Sequence, residues 1–539
     1  MPLLSNPSRF SFLFKVATAL LLIAFAECLF PFEVVPGATI GLFAAGWTIA
    51  VAATRRSGWR SIGALAALAM ALVYAFALFD DPSLLAFALL WTAVTLAALL
   101  PRRRFGNALG WVLPLIVHAC IGPFRPLMDA WHLSRVKRRP GRLHLGNAAA
   151  TLALPVIGGQ LFVGLFAFAN PVISQAFERA SLPGPLRFIF WGLVLLAVWP
   201  ALRPWAGTSR TLPGGSTAAA PLPTVPLASV LIALATFNAI FAVQNGLDIA
   251  FLWSAAPLPA GVTLAEYAHR GAYALIATAL IAGALALWML RPGSATAAHP
   301  WARTLLVLWV AQNLLLVASS MLRTIDYVEV YSLTELRIAA LAWMVLVGIG
   351  LALICWRILA GKSGAWLVNF NMAAATALLT AACFVDLGAV AAQWNIRHAR
   401  EVGGAGAEID LCYLDRLGAS ALLPLIELEP RIENADMRDR VTALRHESMK
   451  DLTERQRDWH SWTWRGARRL ALARAMLGPK PALPKPANWR YCGGMIPPPD
   501  PVPVPVPAAP VAPAPAKTPA KTPNIAPRPL PELTRDGGR

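Results

Sequence analysis

Apolar runs of about twenty residues, the length that crosses a bilayer, recur along the first three-quarters of the chain with almost no charge inside them. Nothing else in the sequence limits the fold as sharply. Lipid offers the backbone no hydrogen-bond partner, so a segment inside it must be a helix or part of a closed barrel. The runs are continuous and lack the alternation of barrel strands. An all-α, polytopic helix bundle is therefore expected. Its spans number about eleven: Val16–Leu29, Ala38–Ala53, Ala64–Phe79, Leu84–Leu100, Ala148–Ala169, Phe188–Leu202, Leu227–Val243, Ala272–Leu290, Leu305–Met321, Ile338–Ile358 and Trp366–Ala391. Only 14% of the 539 residues are charged, whereas 57% are hydrophobic.

The net charge of +19 suggests nucleic acid until its placement is considered. The excess sits in short loops between apolar runs, where positive charge sets orientation. Arg55, Arg56 and Arg60, then Arg102 to Arg104 with Arg135 and Lys137 to Arg139, then Arg203, Arg303 and Arg357, fall on one set of loops. Glu33, Asp80, Asp81, Glu178, Asp248, Glu266, Asp326 and Glu335 fall on the alternate set. Positive loops stay in the cytoplasm. The expected partner is the lipid bilayer and not nucleic acid. The expected location is a bacterial inner membrane, with the N-terminus cytoplasmic and everything after Ala391 periplasmic. The first span, with its basic lead and Ala24-Phe25-Ala26, also has the features of a cleaved signal peptide. The run Trp111–Ile121, broken by Pro114, has re-entrant length; were it to span, the later orientation would invert.

Four regions follow: membrane helices with a basic loop (1–147), a membrane core (148–391), an extramembrane helical region (392–496) and a Pro-rich tail (497–539). Glu408–Leu428 is expected to form a short amphipathic helix, and Glu433–Leu477 a long charged one. Leu444, Leu452, Leu470 and Leu477 recur near helical spacing and need a surface to pack on. The tail, Pro-Val-Pro-Val-Pro-Val-Pro and then Lys-Thr-Pro repeats, favours polyproline II and cannot build a core.

Two loops enter the next helix alike, through Thr263-Leu264-Ala265-Glu266 and Ser332-Leu333-Thr334-Glu335, each with capping-box spacing. Behind them stand Arg270 and Arg337, where the helix dipole is positive and water thins. Each needs an anion or carboxylate; Asp248, Asp326, Glu329, Asp386 and Asp410 are candidates on that side. Tyr267 and Tyr331 accompany them. The alternative is an interfacial belt of aromatics and arginines. Asp386, inside the last run, is either an ion-pair partner or a coupling carboxylate. Cys412 and Cys492 both fall on the oxidising side and are expected to pair. The cysteines include no Cys-x-x-Cys pair, and His118 has no second histidine at ligand spacing, so neither a metal nor a cofactor is indicated. No hydrolase, kinase or nucleotide-binding motif occurs in usable context.

Several of these segments resemble one bacterial membrane family. They are Val243-Gln244-Asn245-Gly246-Leu247-Asp248-Ile249, Thr263 through Tyr273, Ala169-Asn170-Pro171-Val172, Tyr331 through Arg337, Trp394-Asn395-Ile396 and Asp410-Leu411-Cys412-Tyr413-Leu414. The chain is similar, over roughly 148–428, to domain of unknown function 4173, with number 4153 as a near relative. The resemblance implies a membrane helix bundle and marks Gln244, Asp248, Tyr267, Arg270, Tyr331, Thr334, Arg337, Asn395, Asp410 and Tyr413 as pattern positions. It assigns none of them a role. Three functions are in contention. The first is a non-enzymatic envelope sensor or assembly protein, with a periplasmic protein partner bound through the C-terminal region and tail. The second is a secondary transporter of an anionic or proton-coupled solute, and the third an outer-face transferase for a lipid-linked substrate.

Overall fold

The computed structural model describes residues 7–55, 61–102, 105–135, 184–204, 226–253, 299–485, with 278, 280–285, 288 and Cys492. Among these every regular element is helical. The chain divides into a compact unit, Met1–Met495, and a second, Ile496–Arg539; the second, including the Pro-rich tail, lies outside the described residues, as does the expected span Ala148–Ala169.

Four apolar helices open the fold: α1 (Pro7–Leu29), α2 (Thr39–Thr54), α3 (Ile62–Asp80) and α4 (Leu84–Leu99). Ser61 and Ser83 cap α3 and α4 with side-chain oxygens, accepting from Ala64 and Ala86 N–H. Each cap satisfies one of the N–H groups a helix start leaves orphaned. Alanines line the interfaces, Ala71, Ala75, Ala77, Ala86, Ala93 and Ala98 among them, and let backbones approach closely. At Gly41 the crossing with α3 is so tight that a Cβ would stand 2.4 Å from the Phe79 nitrogen.

Helix α7 (Pro185–Leu202) packs on α1 and α2. A second cluster is built by α8 (Leu227–Asp248), α9 (Pro300–Tyr331), α10 (Glu335–Ala360) and α11 (Gly364–Phe384), around Leu234, Leu306, Trp309, Val310 and Met344. Helix α11 joins the two clusters, with Thr380 and Tyr74 hydroxyls 3.0 Å apart. Among the described residues, seven helices are long and apolar enough to cross a membrane, and three shorter ones are apolar. Large apolar side chains point outward along them, such as Ile232 and Val243 on α8. A water-soluble bundle would hide that face. The protein is a multi-pass α-helical membrane bundle.

Contacts sort the helix ends into two sets. At one end, Glu27 meets Arg187 at 2.9 Å, Gly37 meets His460, and Asp80 and Asp81 meet Arg465. At the other, Ala108 N–H donates to Asn369, Asp129 meets Arg203 at 3.1 Å, and Arg303 donates to the Ile358 carbonyl. Helix α5 (Leu109–Ile121) and helix α6 (Arg125–Arg135) are linked by a 3₁₀ turn. Together they are long enough to span. Yet Ala108, Gly122 (against Pro200) and Asp129 all contact that same second end. Both ends of the α5–α6 pair thus contact the same end of the bundle.

Three expectations change. The apolar run Trp366–Ala391 is not one helix: α11 stops at Phe384, and Asp386 caps a new helix, α12 (Leu387–His398), accepting from Ala389 N–H at 2.9 Å. An N-cap carboxylate outweighs continuous hydropathy here. Glu408–Leu428 forms two short helices, α13 (Leu411–Leu417) and α14 (Leu422–Leu428), joined by a 3₁₀ turn at Gly418. The stretch Glu433–Leu477 breaks into α15 (Ala435–Arg457) and α16 (Trp464–Leu477). Asp458 folds back on His460, and Thr463 caps α16. Leu444, Leu452 and Leu470 are all buried. Arg445, fully buried, pairs with Glu429 at 2.6 Å and anchors the interior of this outer domain. The sulfurs of Cys412 and Cys492 are bonded, with Cα atoms 4.8 Å apart.

Candidate functional site

The outer domain meets the bundle through charge. Arg465, at the start of α16, pairs with Asp80 at 2.8 Å and Asp81 at 3.0 Å. It also donates to the Cys383 and Phe384 carbonyls at 3.2 and 3.4 Å. Those carbonyls end α11, where the dipole is negative and a cation is favoured. Arg468 reaches Asp80 at 2.9 Å, and Arg469 pairs with Asp386. Trp462 and Trp464 pack on Phe79. Across the seam, Gly37 and Ala38 N–H groups donate to the His460 and Trp462 carbonyls at 2.6 and 2.7 Å. A Cβ on Gly37 would stand 2.4 Å from the Trp462 oxygen, so glycine is required by the close approach.

Beside this clamp opens a cavity of about 760 Å³. Helices α12, α14 and α16 and the end of α11 line it, with Phe384, Val390, Trp394, Leu423 and Leu472 as apolar walls. Its polar groups include Asp386, Gln393, Arg397, His398, Ser420, Glu427, Arg465, Arg468 and Arg469. Asp386 is fully employed: it caps α12, accepts from Ser420 at 3.0 Å and holds Arg469. Glu427 accepts from Gln393 at 2.6 Å. Arg397 is exposed and makes no ion pair among the described residues.

A second polar construction lies inside the bundle. Asp248 and Arg323, both nearly inaccessible, form an ion pair between α8 and α9, and Gln244 donates to the same carboxylate at 2.9 Å. Just after Asp248 the chain makes a π-helical turn, Ile249–Trp253, a form enriched at functional sites. Further along the same seam, Gln312 donates to Asn238 at 2.8 Å and Asn245 donates to the Gln312 carbonyl at 3.2 Å. The side-chain oxygens of Asn245 and Asn313 and one oxygen of Asp248 have no donor among the described residues.

The pattern residues at the α9–α10 turn interlock. Asn395 of α12 accepts from Leu333 N–H at 2.6 Å and donates back to its carbonyl at 2.9 Å. The Tyr413 hydroxyl accepts from Glu335 N–H at 3.1 Å; burial pushes that hydroxyl up, so it remains protonated. Asp410 caps α13, accepting from Tyr413 N–H. Thr334, not Ser332, caps α10, with Arg337 N–H as donor, so the cap lies two residues on and, with Arg337 in the third position, the expected capping box does not form. Ser332 takes a positive φ of 69° instead.

Arg337 finds its compensation where the sequence did not suggest. Its guanidinium donates to the Tyr331 and Ser332 carbonyls, which end α9, and lies over the Tyr327 ring at 4.4 Å. Asp248 and Asp386, two of its expected partners, are held by Arg323 and Arg469. A helix C-terminus replaces the carboxylate. Arg270 and Tyr267 lie outside the described residues. Of the predicted positions among the described residues, only Asp386 lines the cavity; Asn395, Asp410, Tyr331 and Arg337 belong to the neighbouring interlock, and Asp248 to the bundle interior. Sequence reasoning missed Arg465, Arg468, Arg469, Arg397 and Glu427. For Arg465, Arg468 and Arg469 the available signal was the Arg-Gly-Ala-Arg-Arg cluster together with Asp80-Asp81 at a span end.

Among known proteins, the family model described as a domain of unknown function, DUF4153, matches residues 64–428, more than half of the chain. It is the near relative of the family number expected from the motifs, and its match begins earlier, at α3. No curated protein and no solved structure matches.

Proposed function

Since the chain belongs to the DUF4153 family, a family with no activity attached to it, we propose from the site geometry that it is a non-enzymatic envelope protein that senses or assembles at a membrane surface. It sits in a bacterial inner membrane with the clamped end of the bundle facing the periplasm. The outer domain and the tail then take a periplasmic protein partner. One observation carries this reading: the outer domain is joined to the bundle by Arg465 and Arg468 on Asp80 and by Arg469 on Asp386. A load or signal on the outer domain therefore reaches α3 and α11 directly. The inward loops carry the positive excess, which supports the orientation.

Photo-crosslinking in intact cells tests it. A crosslinker at Glu427, on the clamped end, is expected to capture a discrete protein adduct, and one at Lys362, on the opposite end, to capture none. Adducts from Lys362 alone would overturn the assignment. A second reading, a secondary transporter, is favoured by the buried Asp248–Arg323 pair beside a π-helical turn. Solute uptake in vesicles that depends on Asp248, with no adduct at Glu427, would favour it instead.

A further inference from the structure

We infer that the cavity at the clamp seats the headgroup of a phospholipid bearing both a phosphodiester and a primary ammonium. The inference deepens the reading of this rim as the working surface, and it does not depend on which side of the membrane the rim faces.

Its level comes first. Phe384 is the last residue of the membrane helix α11 and forms part of the cavity wall. Helix α12 does not leave the surface. Gly388 near its start lies 3.3 Å (as a Cβ) from Glu335, and Asn395 near its end bonds Leu333. Both ends thus touch one turn at the bundle rim, so α12 lies along the rim. The cavity therefore opens at headgroup depth, where amphipathic helices with aromatic and cationic residues settle.

Its walls come second. Val390 and Leu472 remain 45% and 55% exposed, and Trp464 and Met476 extend that apolar face along α16. A small soluble anion would leave this surface wet; the first carbons of an acyl chain would cover it.

Charge decides the headgroup. Four lining arginines (397, 465, 468, 469) face two lining carboxylates, Asp386 and Glu427, with Asp80 and Asp81 directly behind. Positive and negative groups balance. Arg465 and Arg469 are committed to the clamp; Arg468 gives one nitrogen to Asp80 but stays 61% exposed, so it and Arg397, which makes no ion pair among the described residues, remain able to donate to a phosphodiester. Glu427 is the carboxylate left over, one turn from Arg397 through its bond to Gln393. A purely anionic headgroup would place its charge beside Glu427. A choline headgroup has no N–H to donate to Glu427. An ethanolamine-type headgroup satisfies both signs.

The test uses the full-length chain in detergent and native mass spectrometry with added phosphatidylethanolamine, phosphatidylglycerol, phosphatidylcholine or inorganic phosphate. The expected result is one retained phosphatidylethanolamine, released about tenfold more readily from the Arg397→Gln/Arg468→Gln variant. Glu427→Gln is expected to erase the preference over phosphatidylcholine. Because Arg468 also holds Asp80, the single Arg397→Gln variant, at an exposed residue outside the clamp, must show the easier release as well, with unchanged thermal unfolding as its folding control. Equal retention of all three lipids, a site filled by inorganic phosphate alone, or variants that retain lipid like the parent would each overturn the inference. Loss of the lipid site with the Glu427 crosslink intact would leave the interaction reading standing. A lipid site without any protein adduct would remove that reading and keep this one.

Discussion

The bundle and the outer domain differ in what they leave exposed. In the outer domain leucines point inward (Leu411, Leu414, Leu425, Leu444), and charges face water, as in any soluble helical domain. The bundle buries leucines too (Leu78, Leu90, Leu234, Leu306), but it also turns leucine and isoleucine outward (Leu21, Ile49, Ile232), and hides alanine, asparagine and the Asp248–Arg323 pair. Lipid is as apolar as leucine, so burying leucine between membrane helices gains little, while burying a polar group is required. The same ion-pair chemistry thus has two settings: Asp248–Arg323 sealed between helices, and Asp80–Arg465 at the boundary where the regions meet.

Breaking the sealed pair should cost most. Asp248→Ala strands Arg323 in the bundle and is expected to lower stability by about 3–5 kcal/mol. Folded yield in detergent reads this directly. Asp248→Leu with Arg323→Leu should recover most of the loss, since two well-packed apolar residues replace two desolvated charges. If the single variant folds like the parent, the pair does not hold the seam.

In the outer domain the bridge between Cys412 and Cys492 takes the next place. Serine at both positions is expected to destabilise that domain by about 2–4 kcal/mol, seen as earlier thermal unfolding reported by Trp459, Trp462 and Trp464, between α15 and α16 and at the start of α16. The bundle should be unmoved, because the bridged residues pack on α13 and α15 and not on a span.

The boundary should cost less. Arg465→Ala removes charge-assisted bonds at a partly wet seam, and about 1–3 kcal/mol is expected. The readout is faster protease cleavage between α12 and α16 with the bundle intact. Gly37→Ala is the uncharged counterpart, driving a methyl into the Trp462 carbonyl. Matching protease sensitivity in both variants would show that the seam opens as one unit.

Acid should have the smallest effect. His460 N–H and its ring nitrogen hold the Asp458 carboxylate, and its carboxyl is held below the usual range. A depressed folded value contributes stability above the unfolded value near pH 4, lost as pH falls through the folded one. The turn that presents His460 and Trp462 carbonyls to Gly37 and Ala38 should therefore loosen only below about pH 4. Hydrogen exchange at those two amides checks it; loosening near neutrality would contradict the assignment.

Much of the bundle was legible, because lipid imposes its length and hydropathy rule on each helix separately. The sequence reading also placed Asp80 and Asp386 on one side, and both meet arginines of α16 at the clamp. What depends on two distant segments was not legible. Asp80 and Arg465 are 385 positions apart, and neither is unusual alone. The end of α11 was hidden because Leu387, Val390 and Ala391 continue the apolar run past the Asp386 cap. Arg337 was recognised as needing compensation, but carbonyls ending the preceding helix carry no residue-type signal. The same holds for Asn395, whose two bonds both go to backbone.

The account rests most on the clamped end being the periplasmic one. In a background without native thiols outside the bridge, cysteine is placed at Lys480 and, separately, at Lys362. Cells with a permeabilised outer membrane are then treated with an impermeant maleimide. Labelling at 480, with 362 protected until the inner membrane is lysed, is the predicted result. Labelling at 362 with 480 protected would contradict it.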